Sequence, residues 1–562
     1  MAFTSIALDG YGLYAACDAI ADSAGGDWAE TGGGTVTYEV TDPLVGAGSI
    51  GIEYASKSGH VLFTSDYTLD FAGTGTGVDV TDQLIGIWIK IASNSAFDTL
   101  ANDGFNFVVG TDINNYRKFK INSSNDSNKW NTGWKYFVFD INNVGDSSQD
   151  VGTFNIETIN IMGVWVDTIV SVRAPTIFID QIVVYNGIRV KGTGTLDEIV
   201  AYCTDFTSRA WGTFQEREGI YFSYGKLFVA DNTTATEATV LSDDGNVVQY
   251  GISEYYHDTN GWSLTHQSDY NRIAVEKHAS YATTYNSDNT SLFGSIDAKL
   301  AITADAGAVL NLAGGALKTI STLTTQSGDT LENKVLTDID ASDISNTPLG
   351  CTWNTSGQIL LQTGGGLDSC VSNESIVGLN DGAVKGPTSS TVVDTHFISD
   401  GSGHAFETTG SANQNWENTQ EGYGSNDTTD AVFYNNGGAD IDLSVIGNGT
   451  EPTVRTVANT TVITGQVTLQ INVQDKNKDP ILDAQTSIQL LDSPFTQLMN
   501  EDTLATGIAS EQYSFGGEVD IVYKVRKSEI TDDPRYFPES GIAKITADGL
   551  SVTVTLKINN FL

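Results

Sequence analysis

The chain has 562 residues, too many for a single hydrophobic core and enough for about three or four domains. It sets 28 Lys and Arg against 70 Asp and Glu, a formal net charge of −42 that is spread along the chain and not gathered into a tail. A field of that sign repels nucleic acid and anionic membranes, so DNA packaging and lipid binding are poor readings of the chain. With 40% of residues hydrophobic, the acidity does not imply disorder.

The opening Met1-Ala2-Phe3-Thr4-Ser5 lacks the basic start and apolar core of a secretory signal, and no stretch approaches the roughly 18 apolar residues that span a bilayer. Cys17, Cys203, Cys351 and Cys370 have no metal-ligand spacing, so four reduced and mostly buried thiols are expected. Cys351 and Cys370 are also placed where neighbouring turns of a stacked fold would bring them together. Period-two alternation recurs from end to end, whereas the longest helix candidate, Thr195–Ala201, is barely two turns. The class expected is all-β.

Residues 1–192 read as a sandwich. Ile85, Ile87, Ile89 and Ile91 alternate with Gly86, Trp88 and Lys90, and Phe105, Phe107 and Val109 repeat the pattern. The run Gly133–Asp140 is apolar on both faces and is expected at the centre of a sheet. Ile177–Tyr185 closes the region before the turn pair Asn186-Gly187. The W-I-K, G-W-K-Y-F-V-F-D and I-F-I-D-Q-I-V-V strands resemble the jelly-roll domains of the concanavalin-like and galactose-binding-like groups. That resemblance implies a fold more than it implies sugar binding.

Residues 193–465 begin with an aromatic-rich cap and continue as short apolar strands separated by Gly, Asn, Asp, Ser and Thr. Ala308–Leu312, the alternating set Leu331, Asn333, Val335, Thr337 and Ile339, and Ala431–Tyr434 are examples. Thr391–Phe406 resembles a rung of a right-handed parallel β-helix of the pectin-lyase-like type, although the chain has no clean fixed period. An irregular sandwich with long loops is the alternative. Residues 466–562 alternate most regularly: Val467, Leu469, Ile471 and Val473; Val519, Ile521, Tyr523 and Val525; Leu550, Val552, Val554, Leu556 and Ile558. About seven such strands fit an immunoglobulin-like or transthyretin-like sandwich. Val473–Ala484 resembles the first hairpin of carboxypeptidase-regulatory-like domains.

The order of jelly roll, β-helix and Ig-like module resembles structural proteins of marine-type tailed phages. It implies a non-enzymatic protein on the virion exterior: a capsid decoration, head fibre or tail-associated fibre, made in the host cytoplasm. Its partners would be other virion proteins, host surface glycans and further copies of itself, a trimer among the options. Nucleic acid and membrane insertion are not expected.

Several residue groups carry candidate chemistry. A glycan depolymerase needs two carboxylates roughly 5 to 9 Å apart, and Asp338 with Asp340 share a predicted strand face at about 7 Å. A solvated face of a chain rich in acids is the plainer explanation. Asp394 with His396 is a second pair of that kind, with no nucleophile signature nearby. Asp475-x-Asn477-x-Asp479 begins like an EF-hand but has Pro480 where Gly is needed and Thr486 where the bidentate Glu belongs, so no cofactor is expected beyond an adventitious Ca²⁺. Asp243-Asp244-Gly245-Asn246 is read as a turn. Glycan or subunit contact is assigned to Tyr255, Tyr256, Trp262 and His266, within Glu254–His266, and to Tyr116 and Trp130 in the jelly roll beside Trp134. Core packing is the competing account of each. The rivals to the virion reading are a phage polysaccharide depolymerase and a bacterial surface adhesin.

Overall fold

The computed structural model describes residues 3–559 apart from 11, 23–25, 32–33, 41–42, 45, 55–57, 66–76, 92–99, 123–132, 143–147, 169–176, 206–209, 211, 231–235, 251–271, 296–298, 457–459, 464–465, 492–495, 516–517, 529–533 and 547. The regular secondary structure of the described residues is almost all strand, and they form two compact units, Met1–Asn346 and Thr347–Leu562. Among them the single α-helix is Leu196–Thr204, where the Glu198 carboxylate accepts the Thr195 N–H at 3.4 Å and Leu196, Ile199 and Cys203 are buried.

The first unit starts with two antiparallel sheets facing each other, one of seven strands and one of six. Ile85, Ile87, Ile89, Phe107, Val109, Phe137 and Phe139 meet between them. In the strand Ile177–Tyr185 the inward parity changes along its length. Ile177 and Ile179 enter the core, then Ile182 and Val184 do, because Gln181 is left-handed (φ 45°) and forms a bulge.

Gly133–Asp140 is not central. It is the edge of its sheet among the described strands, paired with Leu84–Ile91. Its second apolar face has another cause, for Tyr136 and Val138 join Leu84, Trp88, Val183 and Tyr185 in a cluster with Phe222 and Tyr224 of the region that follows. The Tyr185 hydroxyl donates to the Tyr224 carbonyl at 2.6 Å, and the Tyr136 and Tyr224 rings meet edge-on at 5.8 Å. Gly212 (φ 91°) lets the backbone pass this cluster: a Cβ there would sit 2.6 Å from the Trp88 ring.

From Gly187–Thr195 onward the first unit is a parallel stack in which strands pair mainly with the strand three places on. Inward residues form ladders, with Leu227, Ile273, Ile302 and Leu323 in one column and Val248, Leu292, Leu317 and Leu336 in another. The ladder positions fall at unequal sequence spacings, so no fixed period is visible in the chain. Left-handed residues at corners, Asn333 (φ 50°) and Asp338 (φ 56°) among them, reset the alternation, and Val335 therefore faces solvent. Asp243-Asp244-Gly245-Asn246 is such a corner, joining two strands of the stack, and Asp243 is turned inward.

The second unit has its own parallel stack. Val384, Phe406, Phe433 and Val454 form its inward ladder, with Phe406 and Phe433 stacked at 5.8 Å. Two further sheets follow. One orders Ile508–Ser514, Gln466–Gln474 and Leu550–Thr555; the other orders Gln497–Asp502, Gln485–Leu490, Val519–Arg526 and Glu539–Ile545. Leu469, Ile471, Val473, Ile488, Ile521, Val525 and Ile545 fill the space between them. The four cysteines are buried and unbridged. Cys351 lies beside Cys370, and its hydrogen bond holds the Cys370 thiol below the usual value.

Candidate functional site

Asp338 and Asp340 share a partner. The Lys299 ammonium donates to Asp338 Oδ1 at 2.8 Å and to Asp340 Oδ1 at 2.6 Å, so one cation clamps both carboxylates. Asp338 occupies a left-handed corner and Ile339 is buried between the two acids. His396 turns to the next strand: Nδ1 meets Thr419 Oγ1 at 2.8 Å and Nε2 lies 3.8 Å from Glu421. Asp394 is itself a corner residue (φ 49°), so the flat strand face assumed for Asp394 and His396 does not exist. Asp475 caps its own loop, accepting from the Asn477 and Asp479 N–H groups at 2.7 and 2.9 Å. Among the described residues no three His, Cys, Asp or Glu side chains converge as metal ligands would.

Tyr116 is buried with Val108 and Ile161, and burial pushes its phenol up. Trp134 lies partly buried beside Phe178, with the Lys90 ammonium 5.9 Å from its ring. Trp130, Tyr255, Tyr256, Trp262 and His266 lie outside the described residues.

One arrangement of charged and aromatic side chains among the described residues carries no signal in the local sequence. In-register pairing of Gly382–Gly386, His404–Thr408, Phe433–Asn435 and Val454–Thr456 sends Val384, Phe406, Phe433 and Val454 inward. The residues that follow each of them, Lys385, Glu407, Tyr434 and Arg455, therefore stand in one outward column. The Glu407 side chain is 1% exposed, yet its charge is met. Oε1 accepts from Lys385 Nζ and from Asn436 Nδ2, each at 2.8 Å, and Oε2 accepts from the Gly382 N–H at 3.3 Å. Above it, the Arg455 guanidinium lies 5.0 Å from the centre of the Tyr434 ring and donates to the Leu379 carbonyl at 3.0 Å.

His404 completes the group. Its ring stacks on Tyr434 at 4.8 Å, and its Nδ1 sits 2.6 Å from the Ala431 carbonyl, which fixes the proton on Nδ1. Nε2 then accepts from Arg455 at 3.3 Å. Burial, together with the Arg455 charge, keeps this imidazole below its ordinary 6.5, and hence neutral near pH 7. Both Glu407 oxygens and both imidazole nitrogens are thus engaged within the protein.

A third group has a different character. Glu417 pairs with Val393 on the neighbouring strand; its carboxyl is pushed up by burial first, then by the Asp394 and Asp368 charges. An acid whose proton is held more tightly by burial and by neighbouring acids is one element of acid-assisted glycoside cleavage. Neither the column nor Glu417 is signalled by a local motif. Each arises only when the register sets Glu407 above Lys385, or Glu417 beside Val393.

No family model and no curated protein matches the chain. Among solved structures it resembles the Agl-KA catalytic domain at 9% sequence identity, over 82% of this chain and 96% of that one, with a TM-score of 0.22. A likeness that distant carries no argument about fold or activity.

Proposed function

We propose that this protein is a structural component of the exterior of a tailed-phage virion, a capsid decoration, head fibre or tail-associated fibre. Its three regions are, in this reading, a jelly roll, a right-handed parallel β-helix and an Ig-like sandwich. The observation that carries the proposal is the parallel stack with its charges tied between strands, Lys385 to Glu407 and Lys299 to Asp338 and Asp340. Such ties suit a scaffold that must persist outside a cell, where ladders of Leu, Ile and Phe supply cohesion from one turn to the next. The net charge of −42 favours the outside of the shell: a lining protein would face DNA phosphates, whereas an outer one meets salt that screens within about 8 to 10 Å. The partners are other virion proteins, host surface glycans and further copies of the chain.

Surface biotinylation of washed, intact particles, read by mass spectrometry, tests the proposal. Labelled peptides from this chain in many copies are expected. Absence of the chain, or protection until the shell is opened, contradicts it. One observation favours a second reading, polysaccharide cleavage: the raised Glu417 carboxyl beside Asp394 and Asp368. Under that reading the purified chain releases reducing ends from host polysaccharide, and Glu417→Gln abolishes the release. Under the structural reading neither form releases any.

A further inference from the structure

The outer face of the four-stranded sheet in the C-terminal sandwich is concave. A cleft of about 470 Å³ opens there, lined by Gln485, Ser487, Gln489, Lys524, Arg526 and Ser540 among others. The volume falls inside the roughly 300–1,000 Å³ typical of small-ligand sites. Register explains the composition. Gln485, Ser487 and Gln489 alternate with the buried Thr486 and Ile488, and pair across to Arg526, Lys524 and Val522 on the next strand. Two exposed cations thus meet over a row of amides and a hydroxyl, in a chain whose acids outnumber its bases by more than two to one.

Hydrogen bonding fixes which way the amides face. Arg526 Nε donates to Gln485 Oε1 at 2.5 Å, and Lys524 Nζ donates to Gln489 Oε1 at 3.2 Å. With both oxygens engaged, the two amide NH₂ groups remain as donors beside the ammonium, and the cleft is donor-rich. The Ser487 hydroxyl is shielded from solvent and has no protein partner. Glu539 supplies one carboxylate acceptor, and no aromatic residue lines the cleft to stack on a neutral sugar.

We infer that this cleft binds a carboxylated oligosaccharide, a run of uronic acid residues whose carboxylates meet Lys524 and Arg526 and whose hydroxyls meet Gln485, Gln489 and Glu539. The inference is independent of the virion proposal, since the same cleft on an adhesin would take the same ligand. The test is therefore made on the purified full-length chain.

Titration calorimetry with a mannuronate hexamer, and with maltohexaose as the neutral control, reads the site. The wild-type chain should bind the uronate, more weakly as salt rises, and should bind maltohexaose at least about tenfold more weakly. Lys524→Gln with Arg526→Gln should weaken uronate binding by at least about tenfold, while Lys524→Arg with Arg526→Lys should retain most of it. Because both residues are exposed, the melting temperatures of these variants should match the wild type. The inference is overturned by failure of the wild type to bind uronate, by equal binding of the two hexamers, or by undiminished binding in the double Gln variant. A change in sedimenting mass in that variant with uronate binding intact would likewise overturn it, assigning the face to self-association.

Discussion

The two sandwiches of this protein treat the outer faces of their sheets in opposite ways. Around Trp88, Tyr136 and Tyr185 the N-terminal sheet is apolar on its second side as well, and that side is covered by Phe222 and Tyr224. The C-terminal sheet carries Gln485, Ser487, Gln489, Lys524 and Arg526 on its second side, which stays open as a cleft. A strand apolar on both faces thus signals a covering neighbour and not a central position, whereas a strand with an amide- and cation-bearing face is one whose second side stays open. The parallel stack contains both treatments on a smaller scale: the Glu407 carboxylate is closed in by its partners, while Asp338 and Asp340 face solvent under Lys299.

The contrast can be broken by mutation. Trp88→Ala or Tyr136→Ala, on the covered face, should cost about 3–5 kcal/mol, whereas Ile542→Ser, at a residue 68% exposed on the open sheet, should change stability by less than about 0.5 kcal/mol. Denaturant unfolding followed by fluorescence and far-ultraviolet dichroism would compare them, and similar costs at the two positions would dissolve the distinction.

Lys385→Met strands the Glu407 carboxylate without its cation and should cost about 3 kcal/mol, most of it recovered when Glu407→Gln is added. Failure of the second change to rescue the first would mean that Lys385 acts through its aliphatic packing.

His404 sharpens the same point through pH. Its folded value lies below 6.5, so the stability it contributes is whole above 6.5 and is lost as pH falls through the lowered value, where the imidazolium would face Arg455. The melting temperature of the wild type should therefore fall more steeply than that of His404→Gln as pH drops below 6.5. Parallel curves would show that His404 does not titrate against the fold. The smallest effect is expected at the open clamp: Lys299→Met should cost no more than about 1 kcal/mol, diminishing further in high salt, as for other solvent-screened ion pairs.

These expectations also mark what the sequence could and could not reveal. Alternation places Ile85, Ile87 and Ile89, or Leu469, Ile471 and Val473, correctly in their cores, because a regular strand preserves parity. It misleads wherever one residue adopts a left-handed backbone. Gln181 switches parity within a strand, and Asn333 leaves Val335 outside although Leu331 and Ile339 are buried. Gly133–Asp140 misleads for a different reason: its second apolar face answers to residues beyond Thr213, which no local pattern links to it. Asp338 and Asp340 were legible as a pair, but Lys299, which bridges them, lies in an earlier turn of the stack. The column of Lys385, Glu407, Tyr434 and Arg455 could not be read at all, since turns of unequal length hide which residues stack.

The central claim, a structural role on the exterior of a particle, is tested most directly by imaging. Intact particles purified from the culture that produces this chain would be labelled with gold-conjugated antibody raised against it and viewed by negative-stain electron microscopy. Gold is expected at repeated, regular positions on the outside of unbroken tailed particles. Gold only on opened shells, or only in the soluble fraction with the particles bare, would contradict it.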